Sequence, residues 1–293
     1  SWQPSNLILG ALAGAGAAFG WAAGLAGALH GIRAGLTPMD LALMRFVWLA
    51  PLLAWFVFRA GLGRPFGLSW AQALALTCFA GPPIALFSYF GFTAVPLGHG
   101  AVIQPSAASL GGLLLTALFL HEPLPNTRVI GALAIVIGLV IYAGESATTI
   151  GSSGILGDLS FVAAGSCWAI FGLLLSRWRV DPLRAAAVVT VVGALSFVPV
   201  HALLTGYENF RLAGVGETTV QALVQGVFAG AGGIYLFTRA VALLGPGRAA
   251  VSPALVPGFT MLIGFLWIGV VPTAAQIAGF LVVTVGFVLV LRR

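Results

Sequence analysis

The side chains of this 293-residue chain that could do chemistry out of water are few, and they recur in pairs. Trp21 and Trp168 stand in matching surroundings, Phe19-Gly20-Trp21-Ala22 and Ser166-Cys167-Trp168-Ala169. An indole face can hold a planar ring, adding about 0.5–1.5 kcal/mol beyond area burial, enough to bias a site toward aromatic groups; interhelical packing is the alternative use. Gln104 and Ser252 immediately precede Pro105 and Pro253. A proline inside a helix leaves a backbone carbonyl without its donor, and a polar side chain in an apolar run costs free energy unless it finds a partner. These two are the leading polar candidates for substrate binding. Ser88, Tyr89 and Tyr235 offer hydroxyls to a zwitterion's carboxylate or ammonium, or else belong to an interfacial belt. Arg45 lies roughly 10 Å along its helix from Pro38 at 1.5 Å per residue. It could take a carboxylate in a bidentate pair; a structural arginine that snorkels or binds carbonyls is the favoured reading. His99 reads either as a proton-sensitive gate or as an interfacial histidine.

What is missing excludes other chemistry. The seven acids fall at the edges of apolar runs or between them, and with the four histidines they are too scattered for a catalytic triad, a paired-carboxylate centre or a metal site. We therefore expect no catalytic residue, no metal and no cofactor, and not an enzyme. Cys78 and Cys167 lack zinc-site spacing and read as small packing residues. The net charge of +6 is carried by arginine alone, placed singly or in small groups beside helix ends, which is not a nucleic-acid footprint. Abundant Gly and Ala with no lysine fits a high-GC bacterial coding sequence. No carboxylate stands near the middle of an apolar run, where ion-coupled carriers usually keep one, which points to facilitated movement without obligatory ion coupling.

The elements that must position these residues are membrane spans. With 60% hydrophobic and 7% charged residues the chain cannot be a water-soluble globule. Apolar runs of roughly 20 residues, long enough to cross a hydrocarbon core, fill nearly all of it. They predict helices at about 7–29, 38–58, 69–90, 98–120, 126–144, 155–176, 182–204, 219–241 and 247–270, with a tenth ending at Arg292 and Arg293. The first lacks a basic leader region and reads as a retained span. Its glycines form small-xxx-small series suited to close helix packing. Pro82, Pro83, Pro105, Pro253 and Pro257 interrupt spans and serve as gating hinges or as fixed kinks. A shift of 148 positions lays Pro105 on Pro253, Gly131 on Gly279 and Gly138 on Gly286, so the chain reads as one unit written twice, 1–148 and 149–293, joined in one membrane domain. Five helices per unit force the copies to face opposite ways. Arginine counting then favours both termini in the cytoplasm, with only Arg33 and Arg211 outside and Arg45 within a span. The expected fold is all-α, ten transmembrane helices as two inverted five-helix repeats. Such repeats with Gly- and Pro-broken helices point to alternating access around a site at their junction.

The Trp21 helix, the Pro38-to-Arg45 helix, and Ala94-Val95-Pro96-Leu97 through Pro105 to Glu122, Gly131 and Gly138 together resemble the EamA-type branch of the drug/metabolite transporter superfamily. Within it the chain is most similar to bacterial ten-helix exporters of aromatic amino acids. The resemblance spans essentially the whole chain and implies a central cavity lined mainly by spans 1, 3, 4, 6, 8 and 9, with the second span peripheral. It implies export of amino acids, aromatic ones included, across a bacterial inner membrane by a functional monomer, with the lipid bilayer and a small molecule as its partners. The alternative is another metabolite or drug moved by proton antiport; a channel or membrane enzyme is more distant. Two positions depart from the family pattern: Glu122 is matched in the second copy by Val270, and His121 stands where glycine is frequent.

Overall fold

The computed structural model describes residues 4–59, 61 and 63–292, so Arg293 of the arginine count lies outside it. Among the described residues the chain is helical throughout, with no strand. In order come α1 (Pro4–Arg33), α2 (Pro38–Val47), α3 (Ala50–Phe58), α4 (Trp70–Ala80), α5 (Pro82–Ala94), α6 (Leu97–Leu120) and α7 (Asn126–Ala143). Then follow α8 (Ile155–Arg177), α9 (Pro182–Leu204), α10 (Glu208–Gln221), α11 (Gly233–Leu244), α12 (Pro246–Ala249), α13 (Val256–Ile268) and α14 (Ala274–Leu291). Among the described residues nine stretches are long and apolar enough to cross a membrane, and a tenth appears when α2 and α3, bent by 50° at their junction, count as one span.

Local chemistry explains the starts and breaks. Thr37 with Asp40, Ser69 with Gln72 and Thr273 with Gln276 form reciprocal caps on α2, α4 and α14. Pro51, in the first turn of α3, cannot supply the N–H that would continue α2, hence the bend. Gly81 ends α4, and α5 restarts on Pro82 and Pro83, where missing N–H groups cost nothing. Pro105 behaves differently, since α6 runs through it unbroken. Its counterpart Pro253 sits in a 3-10 turn (Ser252–Leu255) between α12 and α13, with Pro257 in the first turn of α13. The eighth span departs from the plain helix expected: between α10 and α11 it widens to a π-helical stretch (Ala222–Gly232) with a non-helical Gly230.

The outer surface is apolar, with Leu52, Trp55, Leu133 and Leu203 all well exposed. Small residues line the buried seams, as expected where lipid offers no hydrophobic drive and helices associate by close packing. On α1, Gly20 lies against the Phe228 carbonyl, Gly24 against Ala229 and Gly27 against Val224, so α1 runs antiparallel to the eighth span. On α7, Gly131 faces the backbone of Gly286 and Gly138 faces that of Gly279. As α7 advances seven residues its partner retreats seven, so α7 and α14 are antiparallel too. Cys78 faces outward on α4, which corrects its reading as a packing residue. Helix alternation gathers Arg59, Arg64, Arg128, Arg177, Arg179, Arg184, Arg239, Arg248 and Arg292 at one end of the bundle, and Arg33 and Arg211 at the other. These are called the arginine-rich and arginine-poor ends below.

Candidate functional site

A cavity of roughly 370 Å³ lies inside the bundle. Its lining comes from the halves of α1, α6 and α7 nearer the arginine-poor end, from the length of α5, from Arg45 near the end of α2, from Trp168 of α8, and from Pro253 and the first turns of α13, with Gln276 of α14 added from the arginine-poor end. At its depth Trp21 and Trp168 meet edge to face, their ring centroids 4.8 Å apart at 86°. Phe237 packs 4.8 Å from Trp168, and Phe171 lies 5.1 Å from it. These four rings form an aromatic floor in which Trp168 is almost fully buried. Gly233 makes the floor possible, because a Cβ there would fall 2.5 Å from the Trp21 indole nitrogen.

Above the floor the walls turn polar. Ser88 Oγ reaches Gln104 Oε1 at 3.0 Å, which ties α5 to α6. Tyr89 donates to Gln225 Oε1 at 2.8 Å, and Gln225 Nε2 donates to the Gly24 carbonyl at 2.6 Å, a chain that locks α5, the eighth span and α1. Tyr142 donates to the Pro257 carbonyl at 2.9 Å. Pro105 has no N–H for the Ala101 carbonyl one turn earlier, and both residues line the cavity. Arg45 lines it as well, its Nη2 donating to the Ala229 carbonyl at 3.1 Å beside the Gly230 break. The carbonyl-bound arginine expected from the sequence is therefore present, yet it stands on the cavity wall and not at the periphery.

Of the sequence candidates, Trp21, Ser88, Tyr89, Gln104, Trp168, Pro105, Pro253 and Pro257 converge on this cavity. Tyr235 and Ser252 do not. Tyr235 packs against the hydrophobic core, and Ser252 is fully buried with its hydroxyl pressed toward Gly14 of α1. Pro82 and Pro83 stay at the α4–α5 break, outside the lining. The lining also includes Tyr142, Ser146, Thr260 and Gln276, which sequence reasoning passed over, whereas no residue of the eighth span takes part.

Two carboxylates that look peripheral in the sequence are buried. Asp40 accepts from His201 Nε2 at 2.8 Å, from Asn209 at 2.9 Å and from Thr37, joining α2, α9 and α10. Asp158 lies 2.6 Å from His99 Nδ1 and accepts from the Gly151 N–H, while the other His99 nitrogen meets Thr149 Oγ1 at 2.9 Å. His99 is thus a buried member of an α6–α8 link, not an interfacial residue. A third pair, His30 with Glu217 at 2.7 Å, sits at the same arginine-poor end. At the opposite end Arg128 pairs with Glu122 at 3.2 Å over Gly247, where a Cβ would fall 2.9 Å from the Glu122 carboxylate. None of these acids lines the cavity.

Residues 155–292 match the model of the EamA-like transporter family. The chain carries an EamA-like transporter domain. Relatives across most of its length are named as transporters. A protein of Archaeoglobus fulgidus named an uncharacterized transporter is 25% identical over 78% of this chain and 79% of its own. The Bacillus subtilis uncharacterized transporter YdfC is 26% identical over 89% and 85%, and YyaM of the same organism 27% over 69% and 70%. A solved crystal structure superposes with a TM-score of 0.71 at 18% identity, covering 96% of this chain and 94% of that one, which shows a shared fold. With its nine apolar stretches among the described residues, the chain is accordingly a multi-pass membrane protein that carries an EamA-like transporter domain, and the cavity is the space its helices enclose.

Proposed function

We propose that this transporter exports amino acids, aromatic ones included, across a bacterial inner membrane by alternating access through the cavity. The observation that carries the proposal is the floor: two tryptophans from matching positions of the two halves meet beneath a polar wall of Ser88, Tyr89 and Gln104. A ring fits against the indoles, while the polar wall and the Ala101 carbonyl serve an ammonium and Arg45 serves a carboxylate. The two halves, 1–148 and 149–293, act as inverted repeats. That reading is supported by the antiparallel contact of α7 with α14 at glycines related by the 148-residue shift. With the arginine-rich end in the cytoplasm, as the positive-inside rule directs, the cavity faces outward. A single chain holds both repeats and works as a monomer. Because no carboxylate lines the cavity, movement follows the substrate gradient without obligatory ion coupling.

Competition uptake in proteoliposomes with a panel of amino acids, followed by Trp168→Ala, tests this. Aromatic amino acids should compete, and the variant should lose them before it loses small ones. An unchanged profile removes Trp168 from the site. Proton antiport of another metabolite is the second reading, favoured by the buried His99–Asp158 and His201–Asp40 pairs. An imposed pH gradient that concentrates substrate against its own gradient would establish it.

A further inference from the structure

Arg45 is the only charged side chain among the described residues that line the cavity. Its guanidinium is satisfied at one corner, where Nη2 meets the Ala229 carbonyl at 3.1 Å, and its buried Nε has no acceptor. The ion pairs of His30, His99, Arg128, His201 and Arg211 all leave it out, and no Asp or Glu among the described residues joins the lining. A cation held between helices with no counter-charge is costly in a membrane protein and is retained where something anionic visits. Neutral groups around it are already engaged: Ser88 with Gln104, Tyr89 with Gln225, and Tyr142 with Pro257.

The balance of charges is therefore lopsided. A ligand's carboxylate meets a guanidinium with open donors, whereas an ammonium meets only dipoles. A hydrogen bond to a charged group contributes about 1.5–3 kcal/mol against about 1 for a neutral one. The aromatic floor supplies the other half of the recognition, a slot for a flat apolar body. We infer that the cavity selects small aryl carboxylates through Arg45, and that an α-ammonium is accepted but not required. The site thus takes aromatic carboxylic acids that lack an amino group as readily as the amino acids themselves. The inference rests on the reading of this cavity as the transport site.

The test uses the purified full chain in nanodiscs for binding and in proteoliposomes for counterflow. The probes are 3-phenylpropanoate, phenylalanine and phenethylamine, which share a ring and differ in their charges. We expect 3-phenylpropanoate to bind at least as tightly as phenylalanine, and phenethylamine at least about tenfold more weakly than either. Arg45→Gln should weaken 3-phenylpropanoate binding about 10- to 100-fold, with Arg45→Lys restoring part of it. The inference is overturned if phenethylamine binds as well as the acid, or if Arg45→Gln leaves the acid's affinity unchanged. Should Arg45→Gln fail to fold, the wild-type ranking of acid against amine decides alone. Phenylalanine counterflow separates the two readings. If it proceeds and 3-phenylpropanoate does not inhibit it, the carboxylate inference falls and amino-acid transport stands. Acid binding with no phenylalanine counterflow has the reverse meaning.

Discussion

Replacing Gly138 by alanine tests the seam on which the fold turns. The added Cβ would lie 2.7 Å from the Gly279 carbonyl oxygen and 2.7 Å from the Val283 nitrogen, both backbone atoms that cannot swing aside. Ordinary contact begins near 3.4 Å, so α7 and α14 must part by roughly 0.7 Å. A gap of that size forfeits about a quarter to a half of each van der Waals well along the seam. Overpacking of this kind costs about 1–3 kcal/mol, offset in part by the gain of roughly 1 kcal/mol that alanine brings to any helix interior. Gly264 in α13 is the control, since a Cβ there meets nothing within 4 Å and only the propensity gain remains. The two variants should differ by about 2 kcal/mol, or on the order of 4–8 °C in melting temperature. Heating each in detergent while following tryptophan fluorescence reads the difference. If Gly138→Ala melts at or above Gly264→Ala, the close seam is not what holds these helices together.

His121 holds a left-handed backbone at φ 56° where α6 ends, so His121→Gly relieves that strain and should raise the melting temperature by a few degrees, about 0.5–1 kcal/mol; a fall would mean the side chain contributes more than its backbone costs. Asp40→Ala strips His201, Asn209 and Thr37 of their common acceptor in a fully buried setting and should cost about 3–5 kcal/mol, seen as loss of monodisperse protein on size exclusion. Ser252→Ala removes a buried hydroxyl that has no partner, so stability should hold or rise and uptake should be unaffected; reduced uptake with normal stability would return Ser252 to the site.

The spans were legible because hydropathy and Gly-Pro punctuation report depth along the membrane normal. So was the close packing of α1, which its glycine spacing announces, whereas Gly131 and Gly138 of α7 stood out only as echoes of Gly279 and Gly286. What could not be read is rotation about each helix axis. These helices are apolar on every side, and without an amphipathic stripe nothing indicates which way a residue points. Each step along a helix turns a side chain by about 100°, so a residue at the right depth can still face a neighbour. That is the fate of Ser252, which turned toward Gly14, and of Tyr235, which joined the packed core. The same blindness hid Tyr142 and Gln276, which read as ordinary residues near helix ends. The π-helical stretch before α11 escaped for another reason: its glycines permit an irregular backbone without requiring one, and the demand comes from α2, whose Arg45 carbonyl approaches Gly230.

On the proposed duplication, the scaffold is doubled but the charge is not. The glycines of α7 and α14 and the two floor tryptophans come in pairs, whereas Arg45 meets only Val192 or Gly193 at the corresponding shift, Glu122 meets Val270 and His99 meets Gly247. On the proposed mechanism, exchange of shape between the two inverted copies opens the bundle at either end. It does not move a guanidinium from one copy to the other. Within the bent span made by α2 and α3, Arg45 lies in the half nearer the arginine-poor end, so an anion held by it is better bound when the cavity faces that end than when it faces the other. A carrier that follows the substrate gradient still equilibrates, since its two faces differ in affinity and occupancy but not in the final balance. The asymmetry belongs to rates. Binding from the arginine-poor side should saturate at lower substrate concentration than binding from the arginine-rich side, and Arg45→Gln should bring the two half-saturation values together. Proteoliposomes of defined orientation, assayed for uptake and for efflux of the same substrate, measure both values; equal values in the wild type would place the selective contact on the floor and not on Arg45.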